Sequence, residues 1–207
     1  MAFLTHSLGI SLSFDGSRVD WVLLRTRRVL ADPPTHAIVD LGTEVSGARY
    51  DDVFVKLSRR LERLAVNDDY RDDVLVLPET SAPFAAWAFV RTMLASRLAR
   101  RAQPSARIRP VELSNKTESV ETAGWRTYVS RRNVFGAVAF AFGRKAVDIP
   151  KHPLSPTLRA DLDRLRTKRP TEEDEAGLGL ALALPLWYRE SEASGRSGGV
   201  ITANYTA

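Results

Sequence analysis

A chain of 207 residues, 44% of them hydrophobic, is long enough for one domain with a substantial core. It has no cysteine, which excludes disulfides, cysteine-ligated zinc and thiol catalysis, and His6, His36 and His152 are too scattered for a histidine-rich metal site. No apolar run approaches the roughly 20 residues of a membrane span, and the first residues lack the basic-then-apolar layout of a signal peptide. A soluble, cytoplasmic protein without membrane partners is therefore expected. The net charge of +5 suits a nucleic-acid partner through counterion release. It suits equally an arginine-rich protein that binds nothing anionic, so the placement of the charges matters more than their sum.

In chain order, Leu8–Ser13 alternates Leu8, Ile10 and Leu12 with small residues, the period-2 pattern of a half-buried strand. Asp15-Gly16 is a favoured turn leading to a second strand at Val19–Leu24. A third strand is expected at Thr35–Leu41, then an amphipathic helix over Tyr50–Ala65 with Phe54, Leu57, Leu61 and Leu64 inward. Val74–Leu77 is a continuous apolar run, the form of a strand buried on both faces, and it stops at Pro78-Glu79. A helix over Ala82–Ala102 and a strand over Arg107–Leu113 follow, then a polar stretch from Ser114 to Gly124 that reads as a mobile loop. Ser130–Arg144 is helical and rich in small residues. Val147–Ile149 reads as a brief strand, and Ser155-Pro156 as cap and first-turn proline of a helix with Leu158, Leu162 and Leu165 inward.

The last helix is expected over Pro170–Tyr188. Thr171 and Asp174 match a capping box, and the Ala/Leu-rich run behind them is apolar nearly all round. Such a helix must be buried, here against the sheet, with Pro185 kinking or ending it. Residues 191–207 read as a disordered tail. Three leading strands followed by alternating helices and strands point to an α/β fold, a mixed central sheet with helices on both faces. That is the element order of the RNase H-like fold.

Within residues 1–190 the chain resembles the C-terminal nuclease domain of phage large terminase subunits. The resemblance is carried by Leu8-Gly9-Ile10-Ser11, by Val74–Glu79, by Val129–Asn133 leading into Val134–Phe142, by Ile149-Pro150, and by Leu178–Trp187. It implies action on DNA in packaging, processing or assembly, alongside other phage packaging or assembly proteins. The Gly-rich phosphate loop of the packaging ATPase is missing. Where the resemblance places metal-binding acids, this chain has Ser11, Pro78, and Ala176 with Gly177.

Two functional readings follow. In one, the nuclease site is degenerate and the domain only associates with nucleic acid. In the other, a displaced acidic set, Asp15, Glu79 and Asp174, holds Mg²⁺ or Mn²⁺ for endonuclease chemistry, with Glu79 and Asp174 catalytic. Each acid has an ordinary explanation beside the functional one. Asp15 sits in an Asp-Gly turn, Glu79 suits a helix cap, and Asp174 a capping box. Arg131 and Arg132, beside Trp125 and Tyr128, suit phosphate contact and base stacking, or an ordinary basic loop.

Overall fold

A computed structural model describes residues 2–13, 17–29, 32–45, 52–53, 55–57, 59–60, 74–78, 109–114, 121–123, 126–167 and 177–193. The strands are β1 (Ala2–Leu12), β2 (Arg18–Val29), β3 (Thr35–Val45), β4 (Val74–Pro78), β5 (Val111–Ser114), β6 (Glu121–Ala123), β7 (Arg126–Ser130) and β8 (Val147–Asp148). Three helices are described end to end: α1 (Arg131–Gly143), α2 (Ser155–Thr167) and α3 (Leu178–Ala193). Residues 52–53, 55–57 and 59–60 are also helical.

The main sheet has the order β4-β1-β2-β3-β8. β1, β2 and β3 form an antiparallel meander, and β4 lies parallel to β1 and pairs with it. Strands β5, β7 and β6 form a second sheet. It is tied to the first by the Arg109 amide, which donates to Val76 O at 2.8 Å. The architecture is the expected mixed sheet with helices on both faces.

The alternation in β1 has a different cause from the one expected. Ser7, Gly9 and Ser11 do not face solvent; Ser7 and Ser11 are fully buried, and all three face α3. Small side chains here let a helix lie directly on the strand. A Cβ on Gly9 would overlap the Ala181 carbonyl oxygen and come within 2.7 Å of Pro185 Cδ. Pro185 does not end the helix, which runs on to Ala193. Proline has no N–H, so the Ala181 carbonyl lacks its i+4 helical donor, and that carbonyl points at Gly9. Burial of Leu186, Trp187 and Tyr188 beyond the proline keeps the helix in place. Leu178, Ala181, Leu182 and Leu186 pack on Val22, Leu24, Ile38 and Leu41, while Leu180, Ala183 and Leu184 pack toward β4, β5, β7 and α1.

The opposite face carries Leu8, Ile10, Leu23 and Trp21, whose indole lies across Gly42. Val53 and Leu57 are buried from the 52–60 helical segment, and Arg60 stacks 5.1 Å from the Trp21 ring while paired with Asp40. Val53 and the expected Leu57 are thus seen facing inward; Phe54, Leu61 and Leu64 lie outside the described residues, as does the expected helix over 82–102.

Several other expectations shift. The polar stretch after Ser114 contains β6, and β7 precedes α1; both are short and mostly polar, so no apolar period announced them. Ser155 is the first residue of α2 and not its cap, and its hydroxyl donates to Pro150 O at 2.7 Å. Lys145, at φ 54°, turns the chain after α1 so that β8 can join β3.

Candidate functional site

Ser11, Pro78 and Gly177 come from three distant parts of the sequence, and the fold brings them together. Pro78 pairs with Ile10, the neighbour of Ser11, at the carboxyl ends of β4 and β1. The Gly177 amide, just before α3, donates to Ser11 Oγ at 3.4 Å. Ser11 and Gly177 thus form one buried corner without a carboxylate of their own, while Pro78, in register with Ile10, faces the other side of the sheet.

Two acids that sequence reading did not single out lie nearby. Asp20 is the rung partner of Ser11 on β2. It accepts from Thr43 Oγ1 at 2.6 Å and from Arg18 Nε at 2.8 Å. Burial raises its pKa above the usual carboxylate value, opposed by Thr43 and Arg18, and the charge of Asp161 pushes the same way as burial. Asp161, on α2, pairs with Arg164 and accepts from the Gly179 amide at 3.4 Å. The countercharge beside Ser11 is therefore arginine. Among the described residues no group of three or more His, Asp or Glu side chains is placed to hold a metal ion. Asp15, Glu79 and Asp174 lie outside the described residues, and so does Trp125.

Arg131 and Arg132 open α1 directly after β7, Arg131 half-buried and Arg132 exposed, with Tyr128 half-buried two residues earlier in the strand. Helix α1 runs alongside α3 in the same direction. Arg144, just past the end of α1, pairs with Glu190 near the end of α3. Arg131 is thirteen residues before Arg144 and Gly177 thirteen before Glu190, an equal helical rise of about 20 Å. Arg131 and Arg132 thus lie at the same end of the molecule as Ser11 and Gly177.

At the other end of α3 the polar groups are dense. Arg189 donates to Ser7 Oγ at 2.6 Å, His6 O at 2.9 Å and Glu192 Oε2 at 2.8 Å. Glu190 Oε1 accepts from Arg144 and lies 2.9 Å from His36 Nε2, while His36 Nδ1 lies 3.0 Å from Thr26 Oγ1. Burial lowers the His36 pKa, against the pull of Glu190 and with a contribution from Arg144 and Arg189. With a neutral ring, Nε2–H donates to Glu190 and Nδ1 accepts from Thr26. A hydroxyl–imidazole–carboxylate chain has the composition of a nucleophilic triad. Here it is sealed, because Thr26 and His36 are each 3% exposed.

The manganese-soaked nuclease domain of human cytomegalovirus terminase superposes with a TM-score of 0.53 and 12% identity, covering 89% of this chain and 84% of that one. The fold is RNase H-like. RuvC of Thermus thermophilus, alone and in complex with a Holliday junction substrate, aligns over 92% of this chain and 97% of its own, with a TM-score of 0.43 and 11% identity. No family model and no curated protein matches the sequence.

Proposed function

We propose that this chain is a nucleic-acid-associated RNase H-like domain whose metal-dependent cleavage site is degenerate. The observation that supports it is the meeting of Ser11 and Gly177, two positions at which the resemblance expects acids, in one buried corner. Two divalent ions a few Å apart repel strongly, and a working site offsets this with several ionised carboxylates. This corner offers a hydroxyl and a glycine. Its nearest described acids, Asp20 and Asp161, are already matched by Arg18 and Arg164.

Arg131 and Arg132, at the same end, supply phosphate contacts, so binding is salt-sensitive and sequence-independent. The setting this implies is DNA packaging, processing or assembly inside the cell, with DNA as the partner. The test is an incubation of purified protein with plasmid and single-stranded DNA in Mg²⁺ or Mn²⁺. Binding by mobility shift with no cleavage above background is expected. Robust Mn²⁺-dependent cutting, lost on Glu79→Ala or Asp174→Ala, would overturn the proposal in favour of a displaced site at Asp15, Glu79 and Asp174.

A further inference from the structure

One described stretch of this chain is basic throughout. Residues 126–146 contain Arg126, Arg131, Arg132, Arg144 and Lys145 and no acid. This stretch is β7, α1 and the turn after it. Helix α1 buries Val134 and Ala141 and leaves Arg132, Gly136, Ala139, Phe140 and Gly143 exposed. At 100° per residue these five fall within about a third of the helix circumference, and Lys145 follows at its end.

Phe140 is 58% exposed, the most exposed large hydrophobic side chain among the described residues. The Arg144 guanidinium covers its ring at 4.5 Å, and Arg144 is itself held by Glu190, which His36 holds in turn. An exposed ring fixed by a buried chain of hydrogen bonds is a rigid platform rather than a loose side chain. Gly136 adds a second sign. A glycine inside a helix costs about 1 kcal/mol relative to alanine. At Gly9 and Gly179 close neighbours require glycine, whereas at Gly136 no described atom lies within 4 Å of a Cβ. Nothing described inside the molecule explains it; close approach from outside does.

Resting on the nucleic-acid reading above, we propose that the outward face of α1 is a track for single-stranded nucleic acid, with a base stacked on Phe140. Charge selects a polyanion, because this face carries no acid and has the exposed Arg132 and Lys145 at its two ends. The exposed ring selects an unpaired strand, since bases within a duplex already stack on one another and offer no free face. Small residues at Gly136, Ala139 and Gly143 let the sugar-phosphate chain run close to the helix while Arg132 and Lys145 reach its phosphates.

The experiment is fluorescence anisotropy of the full chain with a labelled single-stranded oligonucleotide and the matching duplex, across a salt series. Phe140→Ala is expected to weaken single-strand binding about tenfold with the salt slope unchanged, and to leave duplex binding as it was. Phe140→Leu, which keeps an apolar side chain without a stacking face, is expected to behave like the alanine variant. Arg132→Ala should lower the single-strand slope by about 0.7 units. If wild-type protein binds at low salt and Phe140→Ala binds equally well, this inference falls while the nucleic-acid reading stands. Equal losses on single strand and duplex also overturn it. If wild-type protein binds neither, both fall together.

Discussion

The two ends of α3 are built on opposite electrostatic plans. Just before its start, the Gly177 amide makes one long hydrogen bond to Ser11 of β1. At its finish Arg189 and Glu190 are buried, and between them they engage Ser7, His6, His36 and Arg144. The start is where the resemblance places metal-binding acids, and the described charges there are Asp20 paired with Arg18 and Asp161 paired with Arg164. At the finish the buried ions bridge the helix to β1 and β3. The difference teaches that buried charge at the finish locks α3 to β1 and β3, whereas the described ion pairs at the start do not join the helix to β1.

The sharpest way to break that contrast is at the rich end. Glu190→Ala leaves His36 and Arg144 without their common acceptor, and loss of one partner of a buried ion pair costs about 3–5 kcal/mol. Urea unfolding should show a loss in that range, and a loss below about 1 kcal/mol would mean the network is not what anchors the helix. Next is Gly9→Ala, midway along the same helix. The added methyl meets the Ala181 carbonyl, which the backbone cannot easily move, so a loss near the top of the range of about 1–3 kcal/mol for overpacking is expected.

A smaller effect separates the ends by pH. The folded pKa of His36 is below its unfolded value of 6.5, so between the two values the unfolded chain binds more protons. Its contribution is complete above pH 6.5 and falls as pH drops from there toward the folded pKa. Asp20, at the other end, has a folded pKa raised above 3.8, so its contribution falls as pH rises through that lower window. Urea midpoints at pH 7.5 and 5.5 should therefore differ in the wild type, and less so in His36→Gln. The smallest effect expected is Gly136→Ala on the exposed face of α1, a gain of up to about 1 kcal/mol with weaker single-strand binding.

Much of the fold was legible because it is periodic. Val74–Leu77 reads as a doubly buried strand, and Leu178–Trp187, apolar all round, as a helix with no solvent face. The small residues of β1 were visible but their meaning was not, since serine and glycine signal solvent as readily as a close-packed helix. β6 and β7 carry too few apolar residues to show a period. Part of the corner was legible position by position: Ser11 and Gly177 do meet. The pairing of Asp20 with Arg18 and Thr43, and the His36–Glu190–Arg144 chain, were not. Their members are up to 154 residues apart, and no local pattern announces a buried hydrogen bond.

The lock between Arg189 and Ser7 joins residues 182 positions apart, which sets the order in which this molecule can be completed. The β1–β2–β3 meander is made of near neighbours and can form early, whereas the α3 side of its sheet, with Val22, Leu24, Ile38 and Leu41, is covered only by a helix near the other end of the chain. During synthesis at about 5–20 residues per second, that apolar surface waits on the order of ten seconds for its cover. A nascent chain stopped before Leu178 therefore leaves that surface uncovered, and the last helix acts as the closing step of the fold.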